Sequence, residues 1–173
     1  MQKVITKGFT LIELLVVIAI IGILAAIVLV SLGSARQKGA DAGIQGNLDA
    51  IRTQSEVYST GAGNVYDVPA GTAADTAAAG ASCGTTGMWS DPTISQAIKS
   101  ASAQAGTPAA GLNGGAVTEV SLCKSNPTSW MVAVVKKSDT TKTWCVDSTG
   151  AAKDVLVTAL DSTAETATLT ACP

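Results

Sequence analysis

An α+β fold, with one long N-terminal helix laid against a C-terminal antiparallel sheet of three to four strands, is predicted by three observations. No charged side chain occurs from Leu14 to Ala35. Beyond that run, Ile44, Leu48, Ile51, Ser55 and Tyr58 recur at alternating spacings of four and three, the signature of one helical stripe. In the last third, "AVTEVSL", "SWMVAVV" and "KTWCV" change to a period of two and are rich in β-branched and aromatic residues.

The apolar run is long enough to cross a bilayer, because about 20 helical residues span a hydrocarbon core of roughly 30 Å. Lys3 and Lys7 precede it, which orients a single-pass segment with its N-terminus cytoplasmic and everything after Arg36 exported. Glu13 does not fit a plain anchor. A carboxylate among Leu, Ile and Val costs a few kcal/mol, roughly, and marks a functional position by default. Gly22 and Ala26 form a small-xxx-small pair that lets helices approach closely.

The helix is predicted to continue in amphipathic form to about Ser59, with Arg36, Lys38, Asp41, Asp49, Arg52 and Glu56 at solvated positions. From Thr10 it would be roughly 75 Å long. Gly39, Gly43 and Gly46 are poor helix formers and predict local weakness there, while Gly61 and Gly63 end the helix. Residues 60–88 read as a surface loop rich in Gly, Ala and Thr. A short helix follows from an Asp91 cap, with Pro92 in its first turn and Gly106 past its end.

In the sheet, turn signals at Ser125 to Thr128 and Ser138 to Thr141 separate the strands of a meander. "SWMVAVV" is apolar on both faces and is placed centrally. "DSTG" from Asp147 turns the chain toward a fourth strand near Val155 to Leu160. The sheet's apolar face is expected to cover the Ile44, Leu48, Ile51 stripe.

Composition narrows the function. The chain is 47% hydrophobic but only 3% aromatic, which implies a core of small and aliphatic side chains. It has no histidine, so the commonest general base and metal ligand are absent. A net charge of −2 gives no footprint of a dedicated nucleic-acid binder. No catalytic constellation, metal site or cofactor is predicted. Asp139, Asp147, Asp154 and Asp161 read as solvated turn residues, although Asp147 or Asp161 with loop carbonyls is a calcium candidate. Lys124, Lys136, Lys137 and Lys142 beside Trp130 or Trp144 are candidates for a basic patch, with the soluble edge of the sheet as the simpler reading. All four cysteines, Cys83, Cys123, Cys145 and Cys172, lie beyond the apolar run and none forms a CxxC pair, so disulfides on the exported side are expected. Three connectivities are open. Pairing Cys83 with Cys123 and Cys145 with Cys172 is preferred, the second closing a loop of about 27 residues worth ~3 kcal/mol.

"KGFTLIELLVVIAIIGILAAI" resembles the class III signal of type IV pilins and type II secretion pseudopilins: a short basic leader ending in Gly, then Phe, then Glu at the fifth place, then an apolar helix. The resemblance covers about residues 1–35. It implies a pilin fold, removal of leader 1–8 by a prepilin peptidase that cuts between Gly8 and Phe9, and methylation of the new Phe9 amine. Loss of Lys3 and Lys7 would make the mature chain more acidic. The new amine, mostly positive at neutral pH, is then the counter-charge for Glu13. In this family the pairing favoured is between Glu13 of one subunit and Phe9 of its neighbour, setting the register of a helical bundle. Family members often carry a proline where this chain has Leu29.

The organisation implied is a transmembrane and assembly helix at 9–35, its amphipathic continuation at 36–59, and a head at 60–173 divided into an αβ-loop (60–115) and a sheet (116–173). The function implied is a structural subunit of an extracellular type IV pilus. The alternative is a minor pilin or pseudopilin of a type II secretion or DNA-uptake machine. Expected partners are identical or related pilin subunits, the prepilin peptidase, the assembly platform with its ATPase, and the cytoplasmic membrane before assembly.

Overall fold

The computed structural model describes residues 8–66, 83, 87–106, 120–160 and 171–173. Two compact units are present, Met1–Arg36 and Gln37–Pro173. Helix α1 (Leu11–Gly61) supplies the first unit and the opening element of the second. It is helical through Gly39, Gly43 and Gly46, so the glycines weaken its intrinsic propensity without interrupting it. At its C-terminal end the Ala62 and Asn64 N–H groups donate to Ser59 O, and Gly63 and Asn64 adopt positive φ of 78° and 64°. That left-handed pair stops the helix.

In the second unit the sheet has strand order β1 (Ser121–Ser125), β2 (Trp130–Val135), β3 (Lys142–Asp147), β4 (Ala152–Leu156), all antiparallel. β2 is internal and fully buried, as its two apolar faces require. One face, with Cys123, Trp130, Val132, Val134 and Val146, packs in a single core with Ile44, Leu48 and Ile51 of α1 and Ile94, Ile98 and Ala101 of helix α2 (Pro92–Gln104). The other face holds Leu122, Met131, Ala133, Val135, Cys145 and Val155, closed by Val157, Leu160 and Cys172. The N-cap of α2 is Asp91, whose Oδ1 accepts the Thr93 N–H at 2.8 Å and the Ile94 N–H at 3.1 Å.

Several expectations need correction. The fourth strand is Ala152–Leu156, and Val157–Leu160 is a 3-10 turn. Register explains this: Leu156 lies opposite Lys142, the first residue of β3, so the chain beyond has no strand to pair with. The "AVTEVSL" strand begins at Ser121 in the described chain, and residues 116–119 lie outside the described residues. So do most of the αβ-loop and Asp161.

Asp41, expected to be solvated, is buried. Its Oδ1 accepts the Lys137 N–H at 2.6 Å and the Ser138 N–H at 3.3 Å, and its Oδ2 accepts the Ser138 hydroxyl. The carboxylate therefore fastens α1 to the β2–β3 turn. Arg52 is also half-buried, donating from Nη2 to Ala151 O at 3.0 Å.

Asp147 is 1% exposed and is likewise no solvated turn residue. Its Oδ1 accepts from the Thr149 N–H (2.9 Å), the Thr149 hydroxyl (2.7 Å) and the Ala151 N–H (3.1 Å), while Oδ2 accepts the Cys172 N–H at 2.8 Å. Burial opposes its ionisation. The Thr149 hydroxyl and the Cys172, Ala151 and Thr149 amides outweigh that burial and hold its carboxyl below the ordinary aspartate value. Its contribution to stability is therefore present above the ordinary carboxylate range and is lost as pH falls through the lowered value. A carboxylate ringed by N–H and O–H donors is arranged against a cation, so the calcium reading of Asp147 is not supported.

The basic patch does not form as drawn. Trp130 is fully buried, Lys124 is buried, Lys136 pairs with Asp154 at 2.7 Å, and Lys142 lies 3.4 Å from Asp139.

Close backbone approaches give the first stability test. A Cβ on Gly106 would lie 2.7 Å from Lys136 O and 2.8 Å from Thr140 Cγ2, whereas a Cβ on Gly46 meets nothing within 4 Å. Gly106→Ala is expected to lower the melting temperature of the head. Gly46→Ala should raise it by an amount matching up to about 1 kcal/mol, since alanine is the better helix former. Thermal unfolding followed by circular dichroism reads both signs.

Candidate functional site

Gly8, Phe9, Glu13, Gly22 and Ala26 fall in the first unit, and the four cysteines in the second. Residues 8–10 are not helical, and α1 begins at Leu11. Its start is built by Thr10 and Glu13. The Thr10 N–H donates to Glu13 Oε2 at 2.8 Å, the Thr10 hydroxyl donates to the same oxygen at 2.9 Å, and the Glu13 N–H donates to Thr10 Oγ1 at 3.2 Å. This is a reciprocal capping box, in which the cap threonine and the glutamate three places on satisfy each other's free backbone donors. The negative charge also sits at the positive end of the helix dipole.

Sequence reasoning treated Glu13 as a lone carboxylate and missed this partner. The signal was legible: Thr10 stands three places before Glu13, the spacing of a capping box. The local bonds use Oε2 alone, and among the described residues no hydrogen bond to Oε1 is formed.

Every Val, Ile, Leu and Phe from Phe9 to Leu32 is exposed, Phe9 at 91% and Leu11 at 86%. Such a surface is unstable in water and needs lipid or other helices. By length and composition α1 is the one described helix able to cross a membrane. Gly22 and Ala26 lie one turn apart on this surface, and a Cβ on Gly22 would meet nothing within 4 Å. The helix passes through Leu29 unbroken.

Among the described residues no cluster of three His, Cys, Asp or Glu side chains converges on a metal position. The four cysteines are all paired, Cys83 with Cys123 (Cα–Cα 5.4 Å) and Cys145 with Cys172 (5.9 Å). The first bridge joins the αβ-loop to β1, and the second joins the C-terminal tail to β3.

The described residues thus comprise a capped, all-round apolar helix and a disulfide-braced helix-and-sheet unit, and two comparisons show what the chain is similar to. The family described as the prokaryotic N-terminal methylation motif matches residues 6–29. PilA4, the type IV wide pilus major component of Thermus thermophilus, is 53% identical over 53 residues, covering 30% of this chain and 40% of that protein. The family match is confined to residues 6–29, and the match to the relative spans less than half of either chain. No solved structure matches this chain.

Proposed function

We propose that the chain is a structural subunit of a type IV pilus that polymerises through α1 into an extracellular filament. The observation that carries this reading is the coincidence, within residues 6–29, of the methylation motif with a helix whose whole apolar surface is exposed. The name of the relative, a major pilus component, favours a filament subunit over a minor pilin or pseudopilin. In this reading residues 1–8 are removed on the cytoplasmic side between Gly8 and Phe9, and the Phe9 amine is methylated. Residues 9–35 hold the subunit in the membrane and later form the fibre core. The remaining helix and the head lie outside. The partners are the peptidase, the assembly platform with its ATPase, and other pilin subunits.

Glu13 has two duties in this account. Oε2 closes the helix start through Thr10, and Oε1 is left to meet the Phe9 amine of a neighbouring subunit. An unpaired carboxylate in an apolar bundle is costly, so the pair favours one axial register. The close approach this needs is helped by Gly22 and Ala26. In cells making both chains, Glu13→Ala subunits are expected to be at least about ten-fold under-represented in sheared filaments relative to the membrane, which corresponds to ~1.4 kcal/mol of lost pairing. Equal incorporation, read by quantitative peptide mass, would refute the register role. Because Glu13→Gln keeps much of the cap but not the charge, it should behave like Glu13→Ala.

A further inference from the structure

The two points that hold the C-terminal tail are adjacent on one strand. Cys145 and Asp147 are two residues apart on β3, so their side chains share a face, and both engage Cys172: one through its sulfur, the other through its N–H. The carboxylate holding that N–H is fixed by its other oxygen, which the β3–β4 turn surrounds with three donors. We infer that Asp147 is a positioning residue for oxidation of the C-terminal cysteine pair, docking the Cys172 backbone on β3 so that its thiol lies against Cys145 before the bridge forms.

In the chemistry assigned, the oxidant is a disulfide. One cysteine thiolate attacks a sulfur of the oxidant, forming a mixed disulfide and releasing one thiol. The thiolate of the second cysteine then attacks the protein sulfur of that mixed disulfide, forming the Cys145–Cys172 bond and expelling the second thiol. Two electrons pass to the oxidant, and the two protons leave the cysteines. The second step is intramolecular, so its equilibrium follows the local concentration of one cysteine at the other. Undocked, Cys172 is at the end of a loop of 27 residues. Docked by Asp147 it is held within bonding reach. The Cys83–Cys123 bridge belongs to the other core cluster and serves as the internal reference.

The experiment equilibrates the full chain, in detergent micelles, with a graded series of reduced and oxidised glutathione, followed by acid quenching, alkylation and peptide mass mapping of both bridges. With Asp147→Asn the Cys145–Cys172 pair is expected to need about ten-fold or more oxidising glutathione ratios, the scale of one hydrogen bond to a charged group. The Cys83–Cys123 midpoint should be unchanged. Equal shifts of both bridges, or no shift of either, would overturn the assignment. A second measurement keeps Asp147 and so does not depend on how the variant folds. In a Cys145→Ser, Cys172→Ser chain the amide of residue 172 should still exchange slowly with deuterium, at least about ten-fold below the unstructured rate. Exchange at the unstructured rate would show that the tail docks only through its disulfide, and would equally overturn the inference.

Discussion

Cells making the Gly8→Trp chain are expected to accumulate one uncut product that still carries Met1 to Gly8 and does not enter filaments. The effect should be close to complete. Gly8 lies outside α1, and nothing sits within 4 Å of where its Cβ would be, so the substitution leaves the fold of this chain alone. On the proposed function, its consequence falls on the peptidase that would hold the scissile backbone. A protease working at a membrane surface binds an extended chain closely, and glycine is the residue that permits that approach. The capping box contributes from the other side: by starting the helix at Leu11, with the Thr10 carbonyl accepting its first bond from the Leu14 N–H, it leaves Gly8 and Phe9 outside the helix. Whole-cell immunoblots with intact mass of the purified chain distinguish the two lengths. Cleavage of Gly8→Trp at the wild-type level would remove glycine's assigned role.

The second large effect is expected at Asp41. Replacing it by alanine strands two backbone amides, Lys137 and Ser138, and frees the Ser138 hydroxyl, all of which now converge on one buried carboxylate. Hydrogen bonds to a charged group contribute about 1.5–3 kcal/mol each at best, and the turn can recover water for part of the loss, so a net cost of about 3 kcal/mol is expected. For a unit of this size that lowers the melting temperature by roughly 10 °C. Asp41→Asn keeps an acceptor and should lose less. A fall below about 1 °C in Asp41→Ala, measured by calorimetry, would show that the clamp adds nothing to the head.

Asp41 also shows where sequence reading stopped short. It stands three places before Ile44 and therefore continues the Ile44, Leu48, Ile51, Ser55 stripe, yet its charge assigned it to solvent. Periodicity was the better guide. Asp147 is different, because no local pattern distinguishes a turn aspartate facing water from one that reaches a tail 25 residues on. Only the fold brings Cys172 there. The end of the fourth strand was equally hidden: Val157 and Leu160 are as apolar as strand residues, and only the register with β3 ends the pairing at Leu156. By contrast the long helix, α2 with its Asp91 cap, and the central place of β2 were legible, since each rests on short-range pattern and capping chemistry. At the site, the motif Gly8, Phe9, Glu13 was legible as a resemblance, and the Thr10 partner of Glu13 was present in the sequence but unread.

The central claim is that this chain, cut and methylated, builds a filament through its exposed apolar helix. Shearing surface filaments from cells that express it, and identifying their main subunit by N-terminal sequencing and intact mass, tests that claim most directly. The account predicts this chain as the main component, beginning at a methylated Phe9, with both disulfides intact. Filaments lacking the chain, or a mature form that begins anywhere other than Phe9, would contradict it.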